Sequence, residues 1–306
     1  MSNKFINNLE QKLRDKNLTK SSIDYYIKNL ERLNEGPLKN LKFLDNFDNI
    51  MDKINKYKDT TKRSYLISIV SILGTYSKPK LIKKYQDEMY KQHNLIKEAN
   101  KDNSKTDTQK DNWMEWEKVK EIKDNLKNDI SKFLNKKKIN EDQYKILLNY
   151  FVLSLYIDIP PRRNKDYLEM YVVKNKEQTE DKSKNYYVID DKEMIFNTYK
   201  TSKKEEQLVI KVEDELLNSF NVYLKYHPLN KQNEYPLLVN YKGEHLNKIN
   251  SITRLLNNIF KKNISSSMLR HIRDTEKYGK VLQDMKEDAK LMSHTVETKL
   301  ENYIKV

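Results

Sequence analysis

Cysteine is absent from the 306 residues, which excludes a disulfide framework and any thiolate metal site. Glycine and proline are scarce, with four and six residues, so the chain lacks the turn punctuation of an all-β fold. The five histidines, at 93, 227, 245, 271 and 294, show no His-Glu-x-x-His or comparable spacing, and no built-in zinc site is expected. No long hydrophobic run is present either. The most apolar stretch, Leu147 to Ile159, is interrupted by Asn149, Ser154 and Asp158 and is too short to span a bilayer, so it predicts a buried helix. The opening Met-Ser-Asn-Lys-Phe has no apolar core of a signal peptide. These absences predict a soluble intracellular protein, cytoplasmic or nuclear, with no membrane partner.

What is abundant is positive charge. Lys and Arg number 59 against 45 Asp and Glu, a net charge of +14. Such an excess favours a polyanionic partner, nucleic acid first among them. An AT-rich coding sequence also yields a chain rich in Lys, Asn, Ile and Tyr, so charge alone does not decide.

The apolar periodicity is mostly helical. Thr19, Ser21 and Ser22 offer capping hydroxyls, Ile23, Ile27, Leu30 and Leu33 form one stripe, and Gly36-Pro37 predicts its end. A second stripe runs Tyr65, Ile69, Ile72 and Tyr76, widened by Leu66, Val70 and Leu73. A charged helix over Leu81–Ala99 follows Pro79. Residues 100–112 contain no apolar side chain and read as a solvated linker between domains 1–99 and 113–306. Trp113 and Trp116 then open a helical segment, one turn apart, and predict core packing. After the buried helix the period becomes two, at Tyr171–Val173, Tyr186–Ile189, Met194–Tyr199 and Leu208–Val212, with Asp190-Asp191-Lys192 as a hairpin turn. Helical periodicity returns from Glu213. The expected fold is mainly α with a small antiparallel sheet in the second domain.

Four places carry chemistry. Ile159-Pro-Pro-Arg-Arg-Asn-Lys-Asp166 closes the buried helix with Arg163 three residues before Asp166. A guanidinium there can bind two non-bridging phosphate oxygens and stays charged at any relevant pH. Lys200, in Tyr199-Lys200-Thr201, ends a strand before a turn, with Lys203 and Lys204 as neighbours able to substitute. Ser265-Ser-Ser-Met-Leu-Arg-His-Ile-Arg-Asp-Thr275 centres on Arg270, flanked by Ser267, Leu269, His271 and Thr275. Finally His294 precedes Tyr303 by nine residues, with Thr295 as the cap of a short helix between them.

Taken in order, Arg163, Lys200, Arg270, His294 and Tyr303 resemble the active site of tyrosine recombinases, the phage-integrase family. The family's first box is an Arg followed three residues on by Glu or Asp. Its lysine sits in a β-hairpin, its second box reads His-x-Leu-Arg-His, and a Leu-Gly-His segment leads to the tyrosine. Ser267 departs from this pattern, standing where the first histidine usually is. A serine can bond a phosphate oxygen but is no general base at neutral pH, which assigns proton abstraction to another group such as His271. Ser267 also reads as an ordinary helix N-cap.

The resemblance implies a helical core-binding domain and a catalytic domain around double-stranded DNA, acting as a homo-tetramer on paired sites. It implies that Tyr303 attacks the scissile phosphate, that Lys200 protonates the leaving 5′ oxygen, and that a 3′-phosphotyrosyl link forms. Because that link conserves the phosphodiester energy, no cofactor, ATP or metal is required, in line with the missing P-loop and metal cluster. The expectation is an integrase-like recombinase of a virus or mobile element. Two alternatives share the fold: a type IB topoisomerase-like relaxing enzyme, and a DNA-binding protein without catalysis.

Overall fold

A computed structural model describes residues 4–76, 78–101, 103–202 and 205–305. The chain divides into two compact units, Met1–Ser104 and Lys105–Val306.

Among the described residues the first unit contains five α-helices: α1 (Lys4–Arg14), α2 (Lys20–Asn34), α3 (Phe47–Asn55), α4 (Asp59–Leu73) and α5 (Pro79–Ala99). Thr19 caps α2 by accepting from the Ser22 N–H, and the predicted stripe of Ile23, Ile27, Leu30 and Leu33 is buried. The helix stops one residue earlier than Gly36 predicts. Glu35 adopts the left-handed conformation (φ 57°), and the Gly36 N–H closes onto the Glu31 carbonyl at 3.0 Å. Lys53 holds this unusual Glu35 in place, 2.8 Å from its carboxylate. The predicted stripe of α4 packs on α2, where the buried Asn29 donates to Ser68 Oγ at 2.9 Å. Tyr85 of α5 is buried and donates to the Leu44 carbonyl at 2.9 Å.

The second unit begins inside the stretch expected to be a linker. Residues Asp107–Asn112 form a short helix, α6, because Thr106 and Gln109 complete a reciprocal capping box. Asn112 Oδ1 accepts from the Asn263 N–H at 2.9 Å, and Lys105 lies 3.7 Å from the Trp113 ring centroid. A sequence without apolar residues is therefore ordered by capping and polar contacts. Helices α7 (Trp116–Ser131) and α8 (Glu141–Ile157) follow, and both tryptophans pack against the core as expected. Helix α8 is buried on nearly every face: Phe151 stacks on Tyr223 and meets Phe220 edge-on. Full burial of side chains of this size contributes about 1.5–3 kcal/mol each. The Lys123–Asp158 ion pair, also nearly buried, ties α7 to the end of α8.

A short helix α9 (Asn164–Leu168) leads into a five-stranded sheet of order β4-β3-β2-β1-β5. The strands are β1 (Met170–Val173), β2 (Asn185–Val188), β3 (Glu193–Phe196), β4 (Leu208–Lys211) and β5 (Glu234–Pro236). The sheet is mixed, not antiparallel as expected, because β1 and β2 run parallel in the register Met170↔Asn185 to Val173↔Val188. The cause is the link between them: residues 174–184 are too long for a tight hairpin and carry the chain back past a 3₁₀ turn at Lys176–Gln178. Between β2 and β3 the turn falls where predicted, with Lys192 at φ 56°. Helices α10 (Asp214–Lys225), α11 (Ser251–Phe260) and α12 (Ser266–Leu291) complete the unit, followed by one turn, α13 (Val296–Thr298), and a π turn over Lys299–Tyr303. Among the described residues no helix is long and apolar enough to cross a membrane.

His227 is buried between Tyr223 and Tyr235, and its Nδ1 accepts from the Leu229 N–H at 3.2 Å. Burial pushes its pKa down to about 4 from the ordinary 6.5. The folded state thus favours the neutral ring. Its contribution is complete above pH 6.5 and is lost as pH falls toward 4, a total of up to about 3 kcal/mol. Both tryptophans lie in this unit, so urea unfolding followed by their fluorescence should show the loss. His227→Phe should flatten the slope between pH 6.5 and 4; an unchanged slope would assign it to other groups.

Candidate active site

The arginine box is set up by the end of α8. Pro160 and Pro161 lack N–H groups and bias the preceding residues away from helix, so the chain leaves α8 extended until Asn164 starts α9. The extended stretch presents its carbonyls sideways. Arg270, in the second turn of α12, donates Nε–H to the Pro161 carbonyl and Nη2–H to the Arg162 carbonyl, both at 3.1 Å. The two boxes, 107 residues apart, are thereby locked together.

Among the described residues the remaining Arg270 N–H groups have no partner, and Arg163 is near enough to act on the guanidinium by charge. Burial first, and then the like charge of Arg163, pull the Arg270 guanidinium below its usual range. Arg163 itself is exposed and acts as the N-cap residue of α9. Among the described residues neither cation forms an ion pair with a carboxylate, although the buried Asp166 acts on both by charge.

Arg162 has a different task. Its Nε donates to Asp166 Oδ2 at 3.0 Å, and its guanidinium lies 3.9 Å from the Phe196 ring centroid and 5.5 Å from that of Tyr199. Asp166 is nearly fully buried; burial raises its pKa, opposed by Arg162 and then Arg163. Arg162 is therefore a strut between the box and the β3–β4 hairpin. That hairpin carries Lys200, exposed in the turn after Tyr199. Lys203 and Lys204 lie outside the described residues.

On the other flank of Arg163, Asn164 accepts from the buried Tyr156 hydroxyl at 2.9 Å and donates to Thr253 Oγ1 of α11 at 3.0 Å. Beyond it, α12 starts at Ser265, whose side chain accepts from the Met268 N–H. Ser265, not Ser267, is the N-cap, and Ser267 and His271 are both exposed beside Arg270.

The last two residues of the constellation stand elsewhere. His294 and Tyr303 stack on one another, ring centroids 5.1 Å apart and 15° from parallel. Thr295 caps the turn between them, accepting from the Thr298 N–H at 3.1 Å as expected. The pair is anchored to the far end of α12 by the His294 N–H on the Ala289 carbonyl and by Lys299 on Asp288. From Arg270 to Ala289 the 26-residue helix advances about 28 Å. In this conformation Arg163 and Arg270 belong to one region, the turn carrying Lys200 is tied to it through Tyr199 and Arg162, and the exposed Tyr303 phenol stands at the far end of α12. The structure thus does not bring Tyr303 and His294 together with Arg270.

Among the described residues no group of three or more His, Cys, Asp or Glu could hold a metal ion. The chain matches no known protein family, no curated protein and no solved structure.

The two adjacent arginines should separate cleanly in stability. Arg162→Ala leaves the buried Asp166 carboxylate unpaired and should lower unfolding free energy by about 3 kcal/mol. Arg163→Ala, on an exposed side chain, should stay within about 0.5 kcal/mol of the wild type. Urea unfolding by tryptophan fluorescence distinguishes them; equal losses would remove Arg162 from the role of strut.

Proposed function

We propose that this chain is a DNA strand transferase of the tyrosine recombinase type. The observation that carries the reading is Arg270 bonded to the Pro161 and Arg162 carbonyls, which brings its guanidinium within electrostatic reach of the exposed Arg163. Lys200 in the adjoining hairpin and the exposed Ser267 and His271 support it. The net charge of +14 supplies phosphate contacts along the duplex.

In the reaction, the Tyr303 oxygen forms a bond to the scissile phosphorus and the P–O5′ bond breaks. The phenolic proton passes to the His271 imidazole, and Lys200 gives a proton to O5′. A phenol of pKa about 10 is a poor nucleophile, and two guanidiniums stabilise both its anion and the charge on the pentavalent phosphorus. A 5′ hydroxyl from a second strand then displaces the tyrosine, conserving the phosphodiester. Paired sites on two duplexes call for four copies of the chain.

Tyr303 reaches the guanidiniums when α12 bends at Gly279, its only glycine and the weakest point for helix propensity. Tyr278, Val281 and Leu282 flank that point and are exposed in the extended helix, so closing it has apolar surface to bury.

A second reading, a DNA-binding protein without catalysis, is favoured by the distance of Tyr303 from Arg270 and by Ser267. The test uses nicked duplex DNA selected from a random-sequence pool by its affinity for the protein. The wild type should yield an SDS-resistant protein–DNA adduct, and Tyr303→Phe or Arg163→Ala none. Binding without any adduct from the wild type would establish the non-catalytic reading.

A further inference from the structure

Asn185 opens β2 and is fully buried, an unusual place for a side-chain amide. Its backbone N–H already pairs with the Glu169 carbonyl at 3.1 Å, so strand pairing makes no demand on the side chain. The amide is nevertheless saturated. Nδ2 donates one N–H to the Asp166 carbonyl at 2.9 Å and the other to the Thr198 carbonyl at 3.0 Å. Oδ1 accepts from the Asn197 and Thr198 N–H groups, both at 2.9 Å, and from the Thr198 hydroxyl at 3.3 Å. Asp166 closes the first arginine box. Asn197 and Thr198 form the bend by which the chain leaves β3, two residues before Lys200.

That bend has no ladder partner of its own, because the pairing of β3 with β4 ends at Phe196↔Leu208. Its N–H groups face the interior and would be orphaned without the Asn185 oxygen. The same amide, through its two N–H groups, joins the bend to the backbone of the arginine box. Around it the hairpin is pinned again on its outer side: Asn197 Nδ2 donates to the Lys184 carbonyl at 2.8 Å, and Tyr199 donates to the Glu206 carbonyl at 2.7 Å. An apolar side chain at 185 would fill the space but leave the hairpin free to shift against the box.

We infer that Asn185 is a positioning residue that holds Lys200 in register with Arg163, so that the lysine meets the leaving oxygen of the phosphate the arginine binds. The inference rests on the proposed strand-transfer reaction and makes a claim about one proton. With ordinary DNA, the P–O5′ bond breaks as a Lys200 N–H proton moves to O5′. When O5′ is replaced by sulfur, the P–S bond breaks and the sulfur departs as a thiolate, which needs no proton because its conjugate acid is far stronger than an alcohol. A defect confined to Lys200 positioning therefore disappears with the sulfur substrate, whereas general damage to the site remains.

The experiment compares single-turnover cleavage of the selected duplex with oxygen or sulfur at the bridging 5′ position of the linkage that the wild type cleaves. Asn185→Ala and Lys200→Ala should each slow oxygen-substrate cleavage about 100-fold, the scale of one positioned acid. With sulfur both should come within about 3-fold of the wild type. Should Asn185→Ala fail to fold, Asn197→Ala on the partly buried outer pin should show a smaller oxygen-substrate loss, about 5-fold, equally erased by sulfur. Equal losses on both substrates, or no loss on either, would overturn the inference. Absence of cleavage by the wild type on both substrates would overturn the strand-transfer reading itself, and the inference with it.

Discussion

The contact on which the site depends is Arg270 bonded to the carbonyls of Pro161 and Arg162. It converts two sequence-distant boxes into one rigid cluster, and it does so with only part of the guanidinium. The cost is the repulsion between Arg163 and Arg270 and the partial burial of the latter. Among the described residues neither cation forms an ion pair with a carboxylate; Asp166 is bonded to Arg162 and acts on the other two guanidiniums only by charge. An anion binding between them would relieve a repulsion already built into the fold, which is why the pair carries the proposed phosphate contact.

The supporting frame is made of buried and half-buried polar groups bonded to one another. Asn185 joins the box to the hairpin, Tyr156 and Asn164 join it to α11, and Arg162 is sandwiched between Asp166 and the aromatic pair Phe196 and Tyr199. Such groups are expensive to bury unless satisfied, and when satisfied they fix one geometry. The distal half of α12 has no such frame, and Tyr278, Val281 and Leu291 are exposed there.

Much of the fold was legible from periodicity, because α2, α4 and α8 owe their existence to apolar stripes that a single sequence displays. The capping turns at Thr19 and Thr295 were equally plain. Helix α6 was hidden because a capping box, with no apolar residue, orders it. The parallel β1–β2 pair was hidden because strand direction depends on the path of residues 174–184, not on the strands' own composition. At the site, Arg163, Lys200 and Arg270 were recognisable as charged groups in spaced boxes. Asn185 carried no signal, since an isolated asparagine at a strand start looks like any turn residue. The separate roles of Arg162 and Arg163 needed the Asp166 bond to be seen.

The open question of geometry is whether the phenol at one end of α12 meets the guanidiniums at the other. The absence of cysteine allows two nitroxide labels to be placed without interference, at Ser267→Cys and Met292→Cys. In the free protein the helix should hold them about 38 Å apart, at about 1.5 Å per residue. Labelled protein diluted into unlabelled protein and bound to the selected duplex should show that distance falling below about 30 Å, as a bend at Gly279 requires. A distance that stays unchanged in the DNA complex would contradict the convergence of Arg163, Arg270 and Tyr303 within one chain.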